Sequence, residues 1–217
     1  MYFVGLSGGP DSVTLAYYVI YTLNLQNIEA IYTNAGVPQT SKEYSAATYF
    51  ANLLGINLKY LDLSSMYNTF VGYEIDPVLL LMGGNGKGAC DDPQPQQYIT
   101  GLMAAALGSE KLYVGIQADD IAGFPNLVNV YAHYQGALRY VIYPHSSAFA
   151  NFTYEMPFKN MTKAEVLQTG AQLNVDFAKT WSCLSGGENH CGICDGCNRR
   201  KAAFIAAGIP DPTIYDN

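Results

Sequence analysis

Three short apolar runs alternate with two helical patterns within the first 63 residues, and that alternation leaves the chain very few folds. The runs are YFVGL at 2–6, IEAIYT at 28–33 and INLKYLDL at 56–63. Between them lie SVTLAYYVIYTL at 12–23 and TSKEYSAATYFANLLG at 40–55. Gly8 and Gly9 form a turn, and Asp11 or Ser12 is the expected cap of the first helix. Thr40 or Ser41 is the expected cap of the second helix, with Gly55 as its stop. Strands separated by helices pair in parallel through right-handed crossovers. The expected class is therefore α/β: an open, Rossmann-like parallel sheet with flanking helices.

The rest of the chain extends this pattern less evenly. MGGNGKGACDDPQPQQ at 82–97 is rich in breakers and reads as a long loop, of the kind that carries function in a compact domain. YITGLMAAALGS at 98–109 reads as a helix, KLYVGIQ at 111–117 as a buried strand and NLVNVYAHYQGALRYV at 126–141 as a further helix. Thr162 through Glu165 is a capping box that opens the helix TKAEVLQTGAQL, and RRKAAFIAAG at 199–208 makes a last short helix. We read residues 1–217 as a single domain, a length sufficient for one substantial core.

Composition narrows the functional classes. Eleven basic against 18 acidic residues give a net charge of −7, which disfavours general binding to a nucleic acid backbone. The basic triplet Arg199-Arg200-Lys201 is read as a solvated helix N-terminus. No apolar run approaches the roughly 20 residues of a membrane span. The start, MYFVGLSGG, carries no basic leader, so no membrane partner and a cytoplasmic location are expected.

Four of the five cysteines, Cys183, Cys191, Cys194 and Cys197, fall within 15 residues in a C-x7-C-x2-C-x2-C spacing interleaved with glycines. Four thiolates so close form a closed tetrahedral site that suits zinc and leaves no position for catalysis. Residues 181–201 are thus read as a structural zinc motif rather than a disulfide framework, which the odd cysteine count and missing leader disfavour. Cys90 stands apart and is read as a passive thiol, its glycine-rich surroundings leaving a reactive role open. His190 is read as a surface residue and Trp181 as packing beneath the metal loop.

Chemistry is expected at the other end, where Ser7-Gly8-Gly9-Pro10-Asp11-Ser12 joins the first strand to the first helix. Glycines there let backbone N–H groups turn inward, and the following helix presents its positive end to an anion. Ser7 and Ser12 can donate to phosphate oxygens, while Asp11 can hold Mg2+ or order the turn. No lysine follows as in G-x-x-x-x-G-K-[ST], so the loop is not that of kinases and GTPases. GGNGKG at 83–88 is either a substrate-covering loop or a plain connector.

S-G-G-x-D-S resembles the signature of the ATP pyrophosphatase superfamily. With GIQADDIAGFPN at 115–126, MPFKNMTKAEVLQTGAQLNVDFAKTWSC at 156–183, the closing cysteines and AAFIAAGIPDPTIY at 202–215, the chain resembles the 7-cyano-7-deazaguanine synthase family over most of its length. The resemblance implies an adenine nucleotide alpha hydrolase-like fold, structural Zn2+, ATP with Mg2+, and a homodimer. It implies conversion of 7-carboxy-7-deazaguanine, with ammonia and ATP, through an amide to a nitrile. Carried over by position, Leu6, Ser7, Gly8, Gly9, Pro10, Asp11, Ser12, Val13, Thr14, Leu15 and Ala16, with Gly115, would bind ATP. Ser12, Asp120 and Lys163 would act in catalysis. Asp119 and Asp120 have the plainer reading of a strand end, and Lys163 that of a solvated lysine.

The chain departs from the family's pattern at Asn34-Ala35-Gly36, at DPQPQQ (92–97), which lacks an arginine, and at Phe124-Pro125-Asn126. Gln96, Phe124, Lys87 and Arg139 are the substrate-pocket candidates that remain, with Lys87 or Arg139 expected to supply the missing positive charge. Three other readings compete: an enzyme that stops at the amide, one that uses another amine, and a non-catalytic nucleotide-binding module with a zinc knob.

Overall fold

The computed structural model describes residues 1–65, 95–141 and 147–216. Among the described residues five strands form one sheet, all pairs parallel, in the order β3-β2-β1-β4-β5. They are β1 (Tyr2–Gly5), β2 (Ile28–Asn34), β3 (Leu58–Asp62), β4 (Lys111–Tyr113) and β5 (Thr153–Glu155). The first three strands fall where the sequence pattern puts them. β4 is shorter than the run 111–117: after Val114 N–H donates to Glu155 O (2.9 Å), the chain leaves the ladder.

Alternation along the strands assigns the two faces. Val4, Ala30, Tyr32 and Tyr113 point into one core, while Phe3, Ile31, Leu112 and Val114 point into the other. The first core is covered by α1 (Pro10–Tyr17), α2 (Thr40–Leu54), α7 (Lys163–Gln172) and α8 (Asp195–Ala207), which contribute Val13, Leu15, Phe50, Val166, Leu167 and Phe204. The second is covered by α3 (Pro95–Ala106), α5 (Leu127–Val141) and α6 (Ser147–Asn151), with Leu127, Tyr131 and Leu138 inside. Each such buried side chain contributes about 1.5–3 kcal/mol, so the sheet is held from both sides. α1 packs closely on α7, where Gly170 leaves room for Thr14 Oγ1 and Phe177; a Cβ there would stand 2.5 Å from the first.

Helix ends differ from expectation in informative ways. α1 begins at Pro10 with Gly9 as N-cap and no side-chain cap, so neither Asp11 nor Ser12 serves there. Proline at the first helical position needs no N–H and has a suitable φ, which frees both side chains for other contacts. A widened π-turn over Tyr18–Thr22 extends the helix. α2 is preceded by Gln39 rather than capped by Thr40 or Ser41, and Thr40 instead donates to Asn34 Oδ1 (3.2 Å). Gly55 ends α2 in the left-handed conformation as expected. At α7 the capping box forms, with Glu165 N–H donating to Thr162 Oγ1 (3.3 Å) and Thr162 N–H to Glu165 (2.7 Å).

The basic triplet is not a solvated helix start. α8 begins at Asp195, with Cys194 Sγ as its cap, which puts the triplet in the second turn. Arg200 is 1% exposed and donates to Thr180, Ser182, Phe177 O and Asp211. Lys201 donates to Gly192 O (2.9 Å) and lies over the Tyr215 ring. Among the described residues no helix is long and apolar enough to cross a membrane.

Candidate active site and metal centre

Strand order reverses between β1 and β4, so the loops leaving their carboxyl ends diverge and open a cleft, the place where parallel sheets bind ligands. The cleft measures about 270 Å³. Its first wall is the loop after β1. Gly8 has φ +80°, and a Cβ there would sit 2.4 Å from Glu43 O, so only glycine fits beneath α2. Ser12 Oγ ties the loop together: it accepts from Ser7 N–H (3.1 Å), lies 3.0 Å from Ser7 Oγ and donates to Gly9 O (3.1 Å).

The opposite walls bring charge to this loop. Lys163 Nζ, at the first turn of α7, is hydrogen-bonded to Asp11 Oδ2 across 152 residues of sequence. Lys163 N–H donates to Asp119 Oδ2 (2.6 Å), joining α7 to α4 (Ala118–Gly123). Asp120 is buried in the first turn of α4, where Oδ2 accepts from Gln117 N–H (3.1 Å) and Oδ1 faces Arg199 at 3.8 Å. Burial pushes the Asp120 carboxyl up to about 6, against the Gln117 N–H and the charges of Lys163 and Arg199, which favour ionisation. Glu43, on the α2 side of the cleft, is likewise pushed up by burial, to about 7, with the Tyr32 hydroxyl 3.4 Å away.

Of the residues singled out in the sequence, Leu6, Ser7, Gly9, Pro10, Asp11, Ser12, Gln96, Gly115, Asp120 and Lys163 line the cleft. Gly8 is turned away, and its carbonyl accepts from Trp181 N–H (2.9 Å). Val13, Thr14, Leu15 and Ala16 are fully buried beneath the loop, so the second half of the segment expected to bind ATP is core. Two substrate-pocket candidates lie outside the lining: Phe124 packs against the second core, and Arg139 Nε donates to Phe152 O (2.9 Å). Arg139 is thus engaged in holding α5 to the segment before β5. Lys87, Cys90 and GGNGKG fall outside the described residues. Asn34 is a structural crosslink: its Nδ2 donates to Tyr60 Oη (2.8 Å) and Asp62 (3.0 Å), and its Oδ1 accepts from Gly36 N–H (2.7 Å).

Several lining residues carried no local signal. Glu43, Thr33, Thr100, Gln117, Tyr131 and Arg199 are scattered through six segments. Only the helix phase of α8, set by its true start at Asp195, would have turned Arg199 toward the cleft.

The four cysteines converge as their spacing indicates. All four Sγ atoms lie within 4.8 Å of one another, with Cys191–Cys197 and Cys183–Cys194 separations of 4.0 Å. A tetrahedral zinc with sulfur at roughly 2.3 Å sets its sulfurs about 3.8 Å apart, so the group fits a metal of that kind. Backbone N–H groups point at the sulfurs: Cys191 and Ser185 to Cys183 (3.3 and 3.4 Å), Cys194 to Cys191 (3.4 Å) and Cys197 to Cys194 (3.4 Å). N–H groups from Ile193 and Cys194 lower the Cys191 thiol to about 6, toward the thiolate that a metal requires. His190 is buried rather than on the surface, accepting from Ser182 N–H (3.1 Å) and packed against Trp181 at 4.2 Å between centroids. This unit is no remote appendage, because Trp181, Ser182, Leu184, Asp195 and Gly196 line the same cleft as the β1 loop.

Known proteins fall on both halves of this arrangement. The model of the family described as queuosine biosynthesis protein QueC matches residues 98–208, and that of NAD synthase matches residues 2–88. A 7-cyano-7-deazaguanine synthase of Porphyromonas gingivalis is 33% identical, the match covering 97% of this chain and 95% of the relative. One from Methanospirillum hungatei is 31% identical with 97% of each chain covered. NMN synthetase from Francisella tularensis has a similar fold, with a TM-score of 0.54 at 14% identity, covering 96% of this chain and 77% of that one. The U34-tRNA thiolase NcsA from Methanococcus maripaludis gives 0.53 at 20% identity, covering 94% and 65%.

The Asp120 carboxyl makes stability depend on pH. Its folded value of about 6 lies above the ordinary value of about 4, so folding tightens its hold on the proton. The stability it contributes is full below about pH 4 and is lost as the pH rises through about 6. Denaturant titrations of wild type and Asp120→Asn across pH 4–8 should therefore show wild type gaining about 2 kcal/mol on the variant toward pH 4. Parallel curves would contradict this account of the buried carboxyl.

Proposed function

The chain belongs to the QueC family of queuosine biosynthesis proteins, and from that premise we propose that it is an ATP-dependent carbon–nitrogen ligase making 7-cyano-7-deazaguanine. Its substrates are 7-carboxy-7-deazaguanine, ammonia and ATP. The observation that carries the reading is the convergence, in one cleft, of the Ser7–Ser12 loop with Lys163 and Asp120 from distant segments.

The chemistry asks for activation rather than a covalent nucleophile. A carboxylate resists amines because oxide is a poor leaving group. When a carboxylate oxygen attacks the α-phosphorus of ATP, pyrophosphate leaves and a mixed anhydride with AMP forms. Ammonia then adds to the acyl carbon and AMP departs with that oxygen, giving the amide. In a second round the amide oxygen attacks the α-phosphorus of another ATP and pyrophosphate leaves; AMP then departs as the carbon–nitrogen triple bond forms, the nitrogen having lost both protons. Both rounds depend on holding reactants together and stabilising phosphate charge.

In this reading the β1 loop and the N-terminus of α1 cradle the triphosphate, as helix N-termini hold anions. Ser7 and Ser12 orient its oxygens, and Lys163 neutralises charge that builds on the leaving pyrophosphate. Asp11 and Asp120 would hold Mg2+: Asp11 Oδ1 is buried without a hydrogen-bond donor, as suits an oxygen meant for a cation. That ion supplies charge neutralisation on the phosphates when bound. Gln96 and Gly115 line the path to the substrate, and zinc on Cys183, Cys191, Cys194 and Cys197 fixes the wall formed by Trp181 and Ser182. The full chain acting as one domain, homodimer assembly and a cytoplasmic setting are part of the same proposal.

Incubation with ATP, Mg2+, ammonia and 7-carboxy-7-deazaguanine should give the nitrile by mass spectrometry, with two AMP per product. Lys163→Ala should lower kcat/KM about 100-fold or more, the range set by loss of one preorganised charge contact. Accumulation of amide alone would select the truncated reaction, and absence of any product with intact ATP would reject the ligase. Metal analysis should find about one zinc per chain, as one closed four-sulfur site requires. Cys194→Ser should lower helicity and the melting temperature as well as activity, because a structural metal contributes directly to folding. Full retention of fold would contradict the structural role.

A further inference from the structure

Activation of a carboxylate beside a triphosphate poses an electrostatic problem that the phosphate-binding loop does not solve. Both reactants are anions, and the carboxylate must come within bonding distance of the α-phosphorus. A cation other than the one serving the phosphates is needed to bring it there. Among the described residues three cationic side chains line the cleft: Lys163, Arg199 and Arg200. Lys163 is bonded to Asp11 in the loop itself, which places it with the phosphates. Arg200 is 1% exposed, with donors directed at Phe177 O, Thr180, Ser182 and Asp211, so its guanidinium holds the wall together.

Arg199 is differently placed. Its side chain is about a quarter exposed, at 27%, and reaches into the cleft from the second turn of α8. Asp120 Oδ1 at 3.8 Å and Asp195 Oδ2 at 4.0 Å hold the guanidinium there at ion-pair distance. Its backbone position follows Cys197 by two residues, within a helix capped by Cys194, so the metal-binding turn sets its direction. A planar guanidinium matches the two oxygens of a carboxylate as a fork, which an ammonium cannot do.

We propose that Arg199 binds the carboxylate of the substrate and so determines the preference for an acid in the first half of the reaction. The proposal rests on the ligase reading above. It makes the zinc-binding turn a positioning element for substrate recognition. It also assigns the positive charge that the sequence led us to expect from Lys87 or Arg139. The second half of the reaction begins from a neutral amide, which has no carboxylate for Arg199 to grip. The two halves therefore should respond differently to its loss.

The test compares wild type, Arg199→Gln and Arg199→Lys with 7-carboxy-7-deazaguanine and with 7-amido-7-deazaguanine, following AMP release. Melting temperature and zinc content are recorded for each protein. Arg199→Gln should raise KM for the carboxylate about 10- to 100-fold, the range for one charge-assisted hydrogen-bonding pair. Loss of the Arg199–Asp120 ion pair acts alike on both substrates, so KM for ATP and turnover of the amide should worsen by a common factor clearly smaller than the rise in KM for the acid. Arg199→Lys, which keeps charge but loses the fork, should fall between and serves as the comparison if the glutamine variant does not fold. Equal losses on acid, amide and ATP would overturn the proposal in favour of a phosphate or purely structural role. An unchanged KM for the acid would overturn it outright. Wild-type protein that releases no AMP with either substrate would bring down the ligase reading itself, a result distinct from both.

Discussion

The reversal of strand order between β1 and β4 is the constraint from which the site follows. Chain connections after adjacent strands run to opposite sides at that point, so their loops separate and expose strand ends. The β1 loop and the N-terminus of α1 border this gap, and α4 begins just beyond β4. A chain of charged contacts in the cleft runs from one of those helix starts to the other. Asp11 reaches Lys163, Lys163 N–H reaches Asp119, and Asp120 faces Arg199. Four segments far apart in sequence are thereby fixed against one another.

The metal-binding turn completes the enclosure through backbone contacts. Trp181 N–H donates to the Gly8 carbonyl, so the chain entering the cysteine cluster is bonded to the loop it faces. Gly196 sits where any Cβ would strike Ser182 O at 2.1 Å, which lets α8 approach the segment entering the cysteine cluster. Arg200 then ties α8 to Phe177 O, Thr180 and Asp211. A closed four-sulfur site does no chemistry of its own, yet loosening it would move one whole wall of the cleft.

What could be read from the sequence was local. Apolar runs punctuated by glycines located β1, β2 and β3, the Thr162–Glu165 box located α7, and cysteine spacing located the metal cluster. Each of these depends on residues within a turn or two of one another. Tertiary contacts were opaque. Asp11 looked like a helix cap until Pro10 took the first helical position and left its carboxylate for Lys163. Arg199 and Arg200 looked like a solvated pair because the start of α8 was placed four residues too late, at 199 rather than 195. Arg139 offered a positive charge but bonds Phe152 O outside the cleft lining, and Glu43 became part of the cleft only through the packing of α2 over Gly8.

The central claim is that this cleft joins an acid group to AMP, and the fate of the acid's oxygen tests it most directly. With 7-carboxy-7-deazaguanine labelled with oxygen-18 in its carboxylate, released nucleotide and phosphates can be resolved by mass spectrometry. Attack on the α-phosphorus requires the label to appear in AMP, with unlabelled pyrophosphate. Label in orthophosphate alongside ADP would contradict the account, because the acid would then have been activated at the terminal phosphorus.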